Sequence, residues 1–429
     1  MRVLHLLDPA VLRQTDYRCR TLALMAALRD QGVQTVQLAS PDAGPVTDGM
    51  AGRRASGTAD ASDESDGAEV ALHVYRTASP PWPFAMPSWQ AGIALPSALR
   101  WSSSTNLSGA IPDALSAAAF ALRLRQVARL TRPDLIHVHA VEAPAPAWQA
   151  LAMWMASGRG RLPLVAEGER RGARRRQVPL LERWALARTA ALAASSLEMR
   201  ASLRSAGLGC SRIAVIPPAT ELAGVPRRQR QPPGLEGAPL LAFAGQLAKA
   251  GGIDLLLAAL ETVRQRHPGL RLVVAGGGTR EDELAERIAG SAARGHVILT
   301  GVLSARRAAD VLPRADIAVF PALPGSDAAL APSRHLLDAM AQGCAIVASD
   351  IGCHSELLVH GHNAILFRAG DRRALAKVLL DLLEWPERRQ ALGREAAAFV
   401  AARHSWMVTA GCYRRLYETV LAERIRRRG

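Results

Sequence analysis

Few residues in this chain are placed to do chemistry. Asp338 lies midway along a predicted short helix, Ser333 to Ala341, among the apolar Leu336, Leu337, Ala339 and Met340. Residues three and four apart share a helix face, so Asp338 sits with His335 and Arg334, one carboxylate beside two potential cations. Gly276, Gly277 and Gly278 follow a predicted strand and precede a helix. There the backbone can approach a phosphate or a base closely; the plainer reading is a tight turn. Lys249 precedes a helix whose N-terminus offers backbone donors and a dipole that favours an anion. His139 stands at the predicted carboxyl end of a strand, the edge where open α/β sheets bind ligands; otherwise it merely caps that strand. Glu167 ends the strand PLVAE, and Arg170, Arg171, Arg174, Arg175 and Arg176 follow it. That basic run is either a solvated loop or a contact for an anionic partner.

These residues need elements to hold them. Val3 to Leu7 reads as a buried strand, followed by a loop over Asp8 to Asp16, a helix from about Tyr17 to Gln31 stopped by Gly32, and a strand from Val33 to Ala39. A strand-helix-strand opening argues for a parallel, doubly wound sheet. Further strands are expected at Val70 to Arg76, Leu135 to Val138, Leu162 to Ala166, Ala191 to Ala194 and Ile213 to Ile216. Residues 41–69 are mostly Gly, Ala, Ser and Asp, and cannot bury enough surface to offset their ordering entropy, so a disordered insertion is predicted. Residues 217–238 are rich in Pro, Gly and Arg and read as a linker. The strand-helix alternation then restarts at Leu240. The expected plan is α/β: two doubly wound, Rossmann-like domains, 1–216 and 239–404, facing across a cleft. A closing helix spans 405–429.

The formal charge is +15, with only two lysines, Lys249 and Lys377. The excess is arginine, which codon bias explains as readily as an anionic membrane or phosphate-bearing substrates do. Nucleic acid is not expected, because no recognition motif is present and aromatics for base stacking are few. Five scattered cysteines without a CxxC pair suit a reduced compartment. No signal peptide or membrane-spanning run is seen, so a cytoplasmic protein, peripheral to the inner face of the membrane, is expected.

The run from Pro332 to Phe367 resembles the nucleotide-sugar site of family-four retaining glycosyltransferases. Their signature is a Glu-Ala-Met-Ala-x-Gly helix, an apolar strand, Ser-Asp, Gly and Glu-Leu. Here these are Asp338 to Gly343, Ala345 to Ala348, Ser349-Asp350, Gly352 and Glu356-Leu357. The resemblance covers nearly the whole chain and implies the GT-B architecture, with the last helix crossing back to brace the first domain. It sets Asp338 where a Glu accepts hydrogen bonds from the nucleotide's ribose, on an arm one methylene shorter. The segment from Gly245 resembles Gly-Arg-Leu-x-x-x-Lys-Gly-x-Asp, whose Arg and Lys clamp the donor diphosphate. The Arg position is Gln246 and the Lys position is Gly251, with Lys249 two residues early. Each lost charge-assisted contact costs about 1.5–3 kcal/mol, so the two together cut affinity by roughly a hundredfold or more.

The same resemblance matches Gly276 and Gly277 to a Val-Gly-x-Gly turn. It also matches His139 to the second His of an Ile-His-x-His strand end that faces donor sugar and acceptor. His139 is therefore the catalytic candidate, and His137 is expected to point the other way. Many members carry a second Glu where this chain has Leu330; a subset carries Lys where it has His335, and Arg334 beside it is the alternative phosphate partner. The opening LHLLDPAVLRQTDYRCRTLAL is similar to a branch associated with exosortase and exopolysaccharide clusters. Tyr17, Arg20 and Thr21 match it, and Asp16 replaces a Gly in a loop that admits the acceptor. Asp16, Tyr17, Glu167 and Arg170 are the acceptor-side candidates.

The reaction this resemblance implies is a retaining sugar transfer from a UDP- or GDP-linked donor to a glycan or lipid-linked acceptor. No metal or other cofactor is expected, and no Asp-x-Asp motif is visible. Backbone amides and cations would stabilise the leaving diphosphate. The alternative is a degenerate relative that binds or scaffolds, because Gln246, Gly251, Leu330, His335 and Asp16 all depart from the functional pattern. A nucleotide-sugar epimerase of the same architecture is a third reading, without its acidic and histidine pattern.

Overall fold

The computed structural model describes residues 1–7, 15–39, 74–76, 121–142, 154–155, 157–158, 161–169, 184, 186–207, 212–222, 238–278, 280–291, 293–301, 315–326 and 329–426. The insertion expected at 41–69, most of the linker and the basic run at 170–176 lie outside them.

Two parallel sheets organise the chain. The first contains β1 (Arg2–Leu7), β2 (Gln34–Ala39), β3 (Val74–Arg76), β4 (Leu135–Glu142), β5 (Leu164–Glu169), β6 (Ala191–Ala194) and β7 (Ile213–Val215), in the order β3-β2-β1-β4-β5-β6-β7. The second contains β8 (Leu240–Ala244), β9 (Arg271–Ala275), β10 (Val297–Leu299), β11 (Ile317–Phe320), β12 (Ala345–Ser349) and β13 (Ile365–Phe367), in the order β10-β9-β8-β11-β12-β13. This is the doubly wound pair that the sequence predicts. Strand order reverses between β1 and β4, and again between β8 and β11. Such reversals open a crevice at the carboxyl ends of the strands. The helices are α1 (Thr15–Asp30), α2 (Leu197–Ser205), α3 (Ile253–Arg264), α4 (Glu281–Ala289), α5 (Arg334–Ala341), α6 (Gly352–Leu357), α7 (Arg372–Glu384), α8 (Pro386–Arg403) and α9 (Trp406–Arg426), with a further helical stretch at 121–131.

Both faces of each sheet are covered, which is why the strands read as apolar runs rather than alternating ones. Side chains still alternate between faces. On β8, Leu241 and Phe243 join one core while Ala242 and Ala244 join the opposite one. On the first sheet, Leu4, Ile136, Val138, Leu164 and Ala166 point to one face. Val3, Leu135 and Val165 point to the other, where Tyr413, Leu416, Tyr417 and Val420 of α9 cover them. The final helix thus packs on the first sheet, although it follows the second in sequence. A hydrogen bond from Gln31 Nε2 to the Met407 carbonyl, 2.7 Å, and one from Arg414 Nη1 to the Gln31 carbonyl, 3.0 Å, tie it to the end of α1.

Three local expectations change. α1 begins at Thr15, so Asp16 lies in its first turn and not in a loop; Thr and Asp are favoured at helix starts. β4 does not end at Val138: pairing with β5 resumes at Val141 and Glu142 after a register shift, so His139 is inside the strand. β5 likewise runs on to Glu169, so Glu167 does not end it.

Candidate functional site

The first sheet carries a polar cluster at its switch point. Parallel pairing sets His5 of β1 opposite His137 of β4. His137 and His139 are two apart on one strand and share a face. Their ring centroids are 4.1 Å apart, which corrects the expectation that His137 points away. That expectation assumed the strand was ending. His5 and His137 are fully buried and His139 is 2% exposed.

The cluster is closed by β5 and α9. His139 Nε2 lies 2.8 Å from His5 Nδ1, and His139 Nδ1 lies 3.1 Å from Glu167 Oε1. The Tyr413 hydroxyl donates to Glu167 Oε1 at 2.8 Å, and the Tyr417 hydroxyl is 2.7 Å from His137 Nδ1. Burial, then repulsion from His139, hold His5 and His137 well below the ordinary histidine range. Burial and the Glu167 charge push Tyr413 and Tyr417 up. Among the described residues the buried Nε2 atoms of His5 and His137 find no hydrogen-bond partner, although His137 Nε2 stands 3.6 Å from Glu167 Oε1. A cavity of ≈ 50 Å³ opens beside the cluster, lined by Arg20, His139, Glu167, Trp406, Thr409 and Tyr413 among others.

The imidazole nitrogens of His5, His137 and His139 lie within 4.8 Å of one another, near enough for one ion to gather. An ion about 2.0–2.1 Å from each nitrogen would hold tetrahedral ring centroids roughly 5 Å apart. The 4.1 Å between His137 and His139 is tighter than that, and both nitrogens of His139 are already engaged. As folded, the cluster is a hydrogen-bonded stack.

The second group of candidates lies where the two sheets meet. Ser333 caps α5, its hydroxyl accepting from Leu336 N at 3.1 Å, and so fixes which face Asp338 presents. The Asp338 carboxylate accepts a hydrogen bond from the buried Thr220 hydroxyl. Arg334 Nε stands 3.4 Å from its other oxygen. Thr220 belongs to the stretch after β7, which is laced to the second sheet's last connection. Its amide donates to the His404 carbonyl at 2.9 Å, and Thr409 donates to the Pro217 carbonyl at 2.8 Å. Leu330 and Ala331 pack against the core of the first sheet, and the Ser196 hydroxyl donates to the Leu330 carbonyl. Glu356 of α6 accepts from the amides of Leu197 and Glu198, at 2.7 and 2.8 Å, at the N-terminus of α2.

The glycine loops lie at the second sheet's switch point. The Leu247 amide donates to the Gly277 carbonyl at 3.0 Å. A Cβ on Gly276, at φ +149°, would fall 1.8 Å from the Gly245 carbonyl oxygen. Backbone packing alone therefore requires this glycine. Gln246 and Lys249 are exposed beside that loop, and His335 is half-buried on α5. Asp16 and Tyr17 lie on α1, and Arg170 lies outside the described residues.

Reading the sequence missed His5, Thr220, Tyr413 and Tyr417. One signal was available: a histidine inside the otherwise apolar run VLHLL has to find a buried partner.

Two family models match the chain in succession, Glycosyltransferase Family 4 over residues 66–223 and Glycosyl transferases group 1 over residues 238–384. Each half of the chain thus matches a glycosyltransferase model, and its two doubly wound sheets form the GT-B fold. The chain is 29% identical over 314 residues to a glycogen synthase of Mycobacterium tuberculosis, covering 69% of this chain and 72% of that one. It is 33% identical over 169 residues to a phosphatidyl-myo-inositol mannosyltransferase of Mycolicibacterium smegmatis, covering 39% and 42%. Its fold matches the sucrose-phosphate synthase of Thermosynechococcus elongatus with TM-score 0.67 at 15% identity, over 99% of this chain and 100% of that one. It also matches Anabaena HepE in complex with UDP, with TM-score 0.62 at 16% identity, over 98% and 100%. Among the described residues no helix is long and apolar enough to cross a membrane.

Proposed function

We propose that this glycosyltransferase moves a sugar, with retention and without a metal, from a UDP- or GDP-linked donor to a glycan or lipid-linked acceptor. In this reading the segment 239–404 holds the donor through Gly245, Gln246, Lys249, Gly276, Gly277, Arg334, His335 and Asp338. The segment 1–216 offers His139 to the sugar, and Asp16, Tyr17, Glu167 and Arg170 to the acceptor. The work belongs to exopolysaccharide or cell-surface glycan synthesis, at the cytoplasmic face of the membrane.

The observation that carries the reading is Asp338. Its side chain is 23% exposed, and it turns to the seam between the sheets, toward Thr220 and Arg334, instead of to solvent. A carboxylate held there can accept a ribose hydroxyl in addition to the Thr220 hydroxyl, since its two oxygens offer about four lone-pair sites. Melting temperature against a panel of UDP- and GDP-sugars is the test. One or more should stabilise the protein at millimolar concentration, Asp338→Ala should remove that stabilisation, and turnover should follow the same donor.

A second reading, a catalytically degenerate binding protein, is favoured by Leu330. It packs against the first sheet's core at the place where a second carboxylate would face the sugar. If no nucleotide sugar shifts the melting temperature, this second reading stands.

A further inference from the structure

The polar cluster on the first sheet assigns its own protons. Ionised Glu167 can only accept, and it takes bonds from Tyr413 O–H and from Nδ1 of His139. His139 therefore carries its proton on Nδ1, and its Nε2 is a bare acceptor when the ring is neutral. His5 reaches that Nε2 with Nδ1 at 2.8 Å, so His5 is the donor. The remaining His5 nitrogen, Nε2, is then a lone pair, and among the described residues it is the one without a hydrogen-bond partner. The chain of donors runs from β1 through β4 to β5, and α9 supplies the last hydroxyl.

We propose that His5 and Tyr413 are positioning residues for His139. His5 fixes the Nδ1–H tautomer by occupying Nε2, and Tyr413 aims Glu167 at Nδ1. The ring is clamped from both edges, with Glu167, His139 and Tyr413 all on the wall of the ≈ 50 Å³ cavity. This rests on the reading of His139 as the sugar-facing group: with both nitrogens engaged, the ring faces the cavity through its carbon edge, and the two partners set how that edge is presented. It adds that the C-terminal helix completes the site, through a residue 246 positions from the carboxylate it steers. The partner of an imidazole's second nitrogen sets its tautomer and orientation; behind metal-bound histidines, losing that partner costs about ten- to a hundredfold in metal affinity or activity, and the same order is expected here.

The test uses full-length protein carrying ¹⁵N-labelled histidine, with His139→Gln to assign the His139 signals. Long-range proton–nitrogen spectra distinguish the two tautomers without any substrate. Wild type should show His139 as Nδ1–H. His5→Leu should give a mixed tautomer and lower kcat about ten- to a hundredfold, with donor KM nearly unchanged. His5→Asn, whose amide can donate from nearly the same point, should restore both. Tyr413→Phe should weaken the lock while its ring still packs. An Nε2–H tautomer in the wild type, or an unchanged tautomer in His5→Leu, overturns the proposal. So does unchanged kcat once the tautomer is lost. If the wild type turns over no nucleotide sugar but shows the locked tautomer, the functional reading fails and the positioning of His139 stands.

Discussion

Glu356 makes the sharpest prediction about how the two sheets are held together. Its carboxylate takes two amide protons at the N-terminus of α2, at 2.7 and 2.8 Å, from the opposite side of the seam. A hydrogen bond to a charged group contributes about 1.5–3 kcal/mol when shielded, and the helix dipole adds about 0.3–1 kcal/mol. Glu356 is exposed, so solvent screens this contact, and about 1–2 kcal/mol for the pair is the reasonable total. Glu356→Ala should therefore favour separated sheets by a factor of about 5–30. Fluorescence energy transfer between a dye on the α2 side and one near α6 would report the change, as would small-angle scattering. The substitution leaves both sheet cores intact, so far-ultraviolet circular dichroism should not move. An unchanged distance distribution in Glu356→Ala would refute the reasoning and leave the Leu330 contact as what closes this edge.

Acid should weaken the fold through its buried histidines. His5, His137, His354 and His404 are all held below the ordinary value of 6.5, chiefly by burial. The unfolded chain then binds more protons than the native state as pH drops past that value. Melting temperature should be flat above about pH 7 and fall below about pH 6.5, and His354→Gln should make the decline shallower. Tyr417→Phe should cost about 1–3 kcal/mol in urea titration, because it strips the fully buried His137 Nδ1 of its partner; no change would mean that the hydroxyl is idle. Gly276→Ala should lower stability by more than about 2 kcal/mol, since its Cβ meets a carbonyl at 1.8 Å. Gly361→Ala, at φ +78° with nothing within 4 Å, should cost only about 1 kcal/mol.

The sequence by itself determined the layered α/β plan. Buried parallel strands need apolar runs separated by amphipathic helices, and runs such as LLAFA, RLVVA and IAVF are legible one at a time. It also placed Asp338 on a helix beside Arg334, because that relation depends only on spacing along one helix. Strand ends were less legible. β4 continues past Val138 because β5 offers a partner for Val141 and Glu142, and no residue inside β4 announces that.

Tertiary structure alone decided which residues complete the site. His5, His137, His139 and Glu167 come from three strands that are neighbours only because strand order reverses between β1 and β4. Tyr413 and Tyr417 reach them because α9 crosses back from the second sheet, and Thr220 reaches Asp338 across 118 residues. Such contacts are set by packing between elements distant in the chain, where the side chains gain their burial and hydrogen bonds together. A one-dimensional pattern carries each partner's chemistry but not the neighbour it will meet.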